Sequence, residues 1–252
     1  MAERRVTAAV LLIGDEILSG RTQDVNLQTI AKFLEPLGIQ VAEARVVADI
    51  PEAIIAAVNE LRRAYTYVFT TGGVGPTHDD KTADAVAAAF GVSIGVRDDA
   101  RAILETHYGL EKLNDARLKM ARIPDGARLI ANPVSRAPGF QLDNVFVMAG
   151  VPSIMRGMLE DAGKRLEGGA VVAARTVRAK GVREGNIAVA LEALEQASPD
   201  VSFGSYPWFS PDGYGVHLVA RSSNPAALDK AAADLIQLLR DAGSEPEVVD
   251  GD

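Results

Sequence analysis

The stretch Tyr67-Val-Phe-Thr-Thr-Gly-Gly-Val-Gly-Pro-Thr-His-Asp-Asp-Lys-Thr82 constrains this chain more than any other. Its apolar start, Tyr67 to Phe69, reads as a buried strand that ends in Thr70 and Thr71. Gly72, Gly73 and Gly75 then make a turn, and Thr82 to Phe90 reads as a helix. Strand, glycine loop and helix together expose backbone N–H groups to an anion. The helix N-terminus adds partial positive charge. Asp79 and Asp80 follow the glycines, and carboxylates beside a phosphate repel it unless a divalent cation lies between them. The segment points to phosphate chemistry with a metal. It lacks the Gly-Lys-Ser/Thr of the Walker pattern and the G-x-G-x-x-G of the dinucleotide fingerprint. Taken alone, the glycines describe a tight turn equally well, and Asp79 or Asp80 a helix cap.

The rest of the chain alternates strand and helix signals. Thr7 to Ile13 is a continuous apolar run, short enough for a buried parallel strand, and it ends at Gly14-Asp15-Glu16. Asn26 is expected to cap a helix whose apolar face is Leu27, Ile30, Ala31, Leu34 and Leu37, with Gly38 as its stop. Ile39 to Val47 reads as a strand, and Asp49-Ile-Pro-Glu52 opens a helix to about residue 65 in a capping-box arrangement. Further on, residues 92–96 look extended, 98–107 and 114–121 helical, and 128–130 and 145–149 extended. A helix follows from Gly150-Val-Pro-Ser153 to about residue 166. Such alternation predicts a mainly parallel sheet covered on both faces.

Gly168-Gly169 breaks the pattern. Residues 1–167 are expected to form the α/β domain, and residues 168–243 a small α+β unit. That unit reads as strand 174–179, helix 184–197, strands 201–205 and 214–221, and helix 225–242. The acidic tail 244–252 is expected to be disordered.

Acidic residues follow the first three strand-like runs: Asp15 and Glu16, then Asp49, then Asp79 and Asp80. In a parallel sheet those ends point the same way, and ligands bind in the crevice beyond them. Singly, Asp49 reads as an N-cap and Glu16 as a loop residue; jointly, the five carboxylates predict a metal-assisted site. Asn132-Pro-Val-Ser-Arg-Ala-Pro-Gly139 is rich in turn residues and carries Ser135 and the cation Arg136, suited to a bidentate phosphate contact or simply a surface residue. Gly150, Pro152 and Ser153 form a second strand-to-helix turn, either an anion site or a plain helix start. Tyr206 and Trp208 fall in an aromatic cluster that either packs a core or hairpin tip or stacks on a ring.

Composition narrows the classes. A net charge of −8 argues against nonspecific binding to nucleic acid or an anionic membrane. The absence of Cys excludes disulfides and thiolate metal sites and fits a reducing compartment. Three scattered His residues argue against a His-rich metal centre. No run reaches the ~18 apolar residues of a membrane span, and no signal-peptide core precedes the first strand. A cytoplasmic protein is expected.

Thr70-Thr-Gly-Gly-Val-Gly-Pro-Thr-His-Asp-Asp-Lys-Thr82 resembles the signature of the molybdopterin-binding superfamily, which includes the molybdenum-cofactor adenylyltransferases and gephyrin. Gly14-Asp-Glu-Ile-Leu-Ser-Gly20 with Asp24-Val-Asn26 is similar to its first motif. Asn132-Pro-Val, Ala137-Pro-Gly-Phe140 and Gly150-Val-Pro-Ser153 resemble the competence/damage-inducible protein A family and the N-terminal domain of eukaryotic FAD synthases. The resemblance implies a three-layer α/β/α domain and a homo-oligomer, dimer or trimer. It implies catalytic roles for Asp49 and Asp80, with Asp79 joining them around a divalent metal (Mg²⁺, Mn²⁺ or Co²⁺). Gly14, Asp15, Glu16, Asn26, Thr71, Gly72, Gly73, Gly75, Thr77, Ser135, Arg136, Gly150, Pro152 and Ser153 are the expected ligand-binding set. Competence-type members imply metal-dependent hydrolysis of a nucleotide pyrophosphate such as ADP-ribose, and the FAD-synthase relatives of FAD. The alternatives are adenylyl transfer to molybdopterin and a non-catalytic module that binds pterin or nucleotide. Neither the C-terminal deamidase domain of full-length competence proteins nor the FAD-forming domain of the synthases is present in these 252 residues.

Overall fold

The computed structural model describes residues 6–249. They divide between Ala170 and Val171 into two compact units. The first contains β1 (Val6–Ile13), α1 (Asp15–Leu18), α2 (Asn26–Leu34), β2 (Ile39–Val47), α3 (Pro51–Ala64), β3 (Tyr67–Thr71) and α4 (Thr82–Phe90). It continues with β4 (Ile94–Val96), α5 (Asp98–Tyr108), α6 (Asp115–Lys119), β5 (Arg122–Pro124), β6 (Arg128–Ile130), β7 (Gly139–Leu142), β8 (Val145–Met148) and α7 (Pro152–Gly163). The second contains β9 (Ala173–Lys180), α8 (Glu184–Gln196), β10 (Ser202–Ser210), β11 (Gly213–Ser222), α9 (Pro225–Asp241) and β12 (Glu247–Val249).

The first unit is a six-stranded sheet in the order β2-β1-β3-β8-β7-β6. The first four strands run parallel, while β7 turns back antiparallel against β8 and β6 against β7. The central strand β1 explains why its sequence is apolar without alternation. Ala9, Leu11 and Ile13 pack on one face with Ile54, Val58 and Leu61 of α3 and Val86 of α4. Ala8, Val10 and Leu12 pack on the other with Ile30 and Leu34 of α2 and Met155 and Leu159 of α7. A strand buried on both faces favours apolar side chains, and the one polar residue of β1, Thr7, stands at its partly exposed start. In α3 the inward residues Ile54, Ala57, Val58 and Leu61 recur at helical spacing and leave Glu60, Arg62 and Arg63 outside that face. Phe69 and Phe146 stack at 5.1 Å between adjacent strands and tie β3 to β8.

In the second unit β-α-β-β-α-β connectivity builds an antiparallel sheet, β10-β11-β9-β12, a ferredoxin-like arrangement. Both helices contribute to a single apolar core with Val177, Val216 and Leu218 of that sheet. The tail expected to be disordered from residue 244 instead contributes β12, which pairs with β9 through Val248 and Val177. Backbone pairing at a sheet edge supplies what the acidic composition hides; residues 250–252 of that tail lie outside the described residues. Among the described residues no helix is long and apolar enough to cross a membrane.

Leu11 is fully buried at the centre of the larger core. Leu11→Ala is expected to destabilise the first unit by about 2–5 kcal/mol in urea unfolding, from lost transfer energy plus a residual cavity.

Candidate functional site

The glycine loop sits on the carboxyl end of β1. Gly72 has φ 102°, and a Cβ added there would lie 2.0 Å from the Ile13 carbonyl oxygen. Only glycine tolerates that left-handed conformation and close approach together. Gly73, at φ 64°, is equally restricted, because a Cβ would meet Thr82 Oγ1 at 2.2 Å. The fully buried Thr82 locks the loop from the helix side: its hydroxyl donates to the Gly72 carbonyl at 2.9 Å and its N–H to the Gly73 carbonyl at 2.9 Å. On the other flank the ideal Cβ of Gly150 falls 3.2 Å from Gly72 Cα, so the turn before α7 abuts the loop. In sheet order β1 connects outward to β2, and β2 returns past β1 to β3, so the loop lies where the direction of the connections reverses. Such switch points are the ligand crevices of parallel sheets.

With both loop carbonyls bound by Thr82, the next amides are left over. Among the described residues nothing in the chain accepts a hydrogen bond from the N–H groups of Gly73, Val74 or Gly75. The two expected catalytic carboxylates flank them. Asp49 Oδ1 is 3.4 Å from the ideal Cβ position of Gly73, and Asp80 Oδ2 is 2.7 Å from that of Gly75.

Asp49 is not the N-cap of α3. Ile50 holds the cap position with no side-chain hydrogen bond, and Pro51 starts the helix. The Asp49 carboxylate instead accepts the Asp15 N–H at 3.0 Å, joining the ends of β1 and β2. Burial raises its pKa above the ordinary value, the Asp15 N–H opposes that rise, and the nearby charges of Asp15, Glu16 and Asp79 reinforce it. Asp80 accepts from the Thr77 N–H at 2.8 Å and from the Thr77 hydroxyl, closing the loop on itself without capping α4. Asp79 is exposed, and hydrogen bonding within the loop holds its carboxyl below the usual value. Gly14 closes the β1 edge by donating to the Val47 carbonyl at 3.1 Å, and Glu16 folds its carboxylate over Gly14. Thr71 is buried at the end of β3.

Several expected roles change. The five carboxylates divide: Asp15, Glu16 and Asp79 surround Asp49, whereas Asp80 faces a cavity shared with Gly73, Gly75, Asp84, Lys119 and Arg122. Among the described residues no three His, Asp or Glu side chains form a cage that holds a metal unaided. Asn26 does not cap α2; the Asp24 carboxylate accepts from Leu27 N–H at 2.9 Å. Buried Asn26 instead donates to the Gly150 carbonyl at 2.7 Å and leaves its own Oδ1 unpartnered. Ser135 is taken up by an Asn132-centred turn, and exposed Arg136 sits at φ 63°. From that segment it is Pro138, Gly139 and Phe140 that line the cavity. Pro152 and Ser153 are the exposed first residues of α7, and neither side chain caps it.

The cations at the cavity are Lys119 and Arg122, which the sequence reading missed. Lys119 Nζ donates to the Thr77 carbonyl, and Arg122 pairs with Asp84 at the start of α4. Their only sequence signal is two cations within four residues, on a weak helix and a three-residue strand far from the glycine loop.

Residues 9–168 match the family model described as probable molybdopterin binding domain, and residues 172–247 match that of the FAD synthase middle domain. A CinA-like protein of Desulfosudis oleivorans is 35% identical over 209 residues, 78% of this chain and 51% of the relative. The chain thus spans about half the length of that relative. A protein of Aeropyrum pernix is 32% identical over 248 residues, 94% of this chain and 92% of its own length. The crystal structure of CinA from Thermoplasma acidophilum, described as of unknown function, is 37% identical with a TM-score of 0.59, covering 63% of this chain and 97% of that one.

Gly72→Ala is expected to cost more than about 2 kcal/mol in chemical denaturation, because strain at positive φ adds to the clash with Ile13. For Asp49 the folded-state pKa lies above the ordinary aspartate value of 3.8, so its carboxylate penalises the native state once pH rises through that window. Asp49→Asn should therefore raise Tm near pH 7 and lose that gain below about pH 3.8, measured as paired melts across pH.

Proposed function

This chain belongs to the probable molybdopterin binding domain family, among its CinA-like members, and we propose that it is a divalent-metal-dependent hydrolase of a nucleotide diphosphate, of the ADP-ribose or FAD class. One observation carries the reading: the unpaired N–H groups of Gly73, Val74 and Gly75 lie between two carboxylates. Backbone N–H groups fit phosphate oxygens and stabilise charge that develops on them. Carboxylates would repel the same phosphates, so their presence favours a cation as the third party.

The donor set suits Mg²⁺ or a similar ion that keeps water ligands and is held by one or two carboxylates together with substrate phosphates. Asp49 and Asp80, with Asp79 beside them, are the residues that would hold it. A bound ion of this kind polarises the diphosphate and lowers the pKa of a coordinated water. Gly73 to Gly75 orient the phosphates, and Lys119 and Arg122 offset charge at the rim. Asp49, half-buried and with a raised pKa, is suited to take the proton as water adds to phosphorus. The P–O–P bridge then breaks, releasing a mononucleotide and a second phosphate ester.

The test is a hydrolysis screen of ADP-ribose, FAD, NAD and ATP with Mg²⁺, Mn²⁺ or Co²⁺. Asp80→Ala should lose at least about 100-fold in turnover while its circular dichroism and melting stay near wild type. Unfolding of that variant would make Asp80 structural. Tight binding of a pterin or nucleotide without turnover would favour adenylyl transfer or a binding module.

A further inference from the structure

The second unit carries a face that the proposed chemistry does not use. In its sheet, Val177, Ala179, Val216, Leu218 and Ala220 point toward α8 and α9. The alternate residues form the opposite face. Register puts Tyr206 beside His217 and His217 beside Arg178, and it puts Trp208 beside Gly215 and Gly215 beside Lys180.

This face is built around flat rings. A Cβ at Gly215 would lie 2.8 Å from the Trp208 ring, so the indole rests directly on the backbone of β11. Gly204 makes the same room for Tyr206, whose ring would meet a Cβ there at 3.0 Å. The Arg178 guanidinium lies 4.5 Å from the Trp208 centroid, and Trp208 stacks with His217 at 6.4 Å. Arg221 lies 5.8 Å from the Tyr206 ring and donates to its hydroxyl. Tyr206 is 48% exposed, whereas Trp208 Nε1 is buried without a hydrogen-bond partner.

Acids outnumber bases on the helix side of the sheet: Glu184, Glu192 and Glu195 belong to α8, and Asp229, Asp234 and Asp241 to α9 beside Lys230 and Arg240. The ring-bearing face has Arg178, Lys180 and Arg221, with Glu247 opposite Arg178 on the edge strand. A whole-chain charge of −8 thus hides a local cationic surface. Two copies of this face would set these cations against each other, which disfavours self-association through it. A small ligand needs a concave pocket that buries most of its surface. Here Tyr206 and Trp208 stand two residues apart on one strand, with Cα atoms about 7 Å apart.

We propose that this face of the second unit is a platform for single-stranded RNA, stacking successive bases on the exposed Tyr206 ring and on the Arg178 guanidinium that covers Trp208, and setting phosphates against Lys180 and Arg221. A four-stranded sheet with paired aromatics stacks bases in this way, and arginine planes serve the same end. The proposal revises the expectation that the chain avoids nucleic acid, which rested on net charge alone.

Trp208 is the only tryptophan, so its emission reports on this face directly. The full chain is titrated with uridine and adenosine octamers at low salt, alongside AMP and poly-glutamate. Octamers should change the emission, with a log–log salt slope of about −1.4 for two phosphate contacts on a single strand. Tyr206→Ala should weaken binding about tenfold, and Tyr206→Phe should retain it. Lys180→Ala should make the slope shallower by about 0.7. The proposal is overturned by no change in emission at low salt, by AMP saturating at the same concentration as the octamers, or by poly-glutamate binding equally well. It is also overturned by binding that ignores Tyr206→Ala in a folded variant.

Discussion

The structure of the site depends on one contact, the seating of Gly72 on the carbonyl end of β1. Because no Cβ intervenes, the loop after β3 crosses directly over Ile13. Parallel pairing of β1 with β3 sets that height, and Thr82 holds it from the helix side. The geometry consumes the carbonyls of Gly72 and Gly73, and among the described residues the following amides have no partner. Backbone N–H groups left unpaired beyond the carboxyl end of β3 call for an acceptor, and an anion supplies one.

Electrostatics around the loop is unfavourable in the chain by itself. Asp49 is partly desolvated and faces Asp15, Glu16 and Asp79, so its proton is held more tightly than usual. Asp80 is satisfied by Thr77, and the cations Lys119 and Arg122 are engaged with the Thr77 carbonyl and Asp84. A site that gathers like charges at a cost to folding is the kind in which function, rather than stability, explains the residues. The second unit shows a related division, with acids outnumbering bases on its helices and rings and cations on the opposite sheet face.

Much of the fold was legible. The bounds of β2, β3, α4 and β6 coincide with those read from apolar runs and turn residues, because burial on both faces leaves a one-dimensional trace. Elements held by pairing more than by burial pattern were missed: β5, β7, β12 and the four-residue α1. β10 extends through Tyr206-Pro-Trp-Phe209, beyond the expected end at residue 205. Proline is tolerated there because β10 is an edge strand. Cap assignments failed for a different reason. Asp49 and Asn26 have the residue type of a cap, but each is drawn off by a distant partner, Asp15 N–H and the Gly150 carbonyl.

By itself the sequence determined the alternation of strand and helix, the glycine loop after β3 and the carboxylates at the strand ends, since each depends on local spacing and conformational preference. Only the tertiary structure decided which carboxylate flanks which glycine and that Lys119 and Arg122, not Arg136, reach the cavity. It alone assembled Tyr206, Trp208, Arg178 and Arg221 on one sheet face. The physical reason is common to all three: these are contacts between residues remote in the chain, set by strand order and register, and neither composition nor local periodicity encodes them.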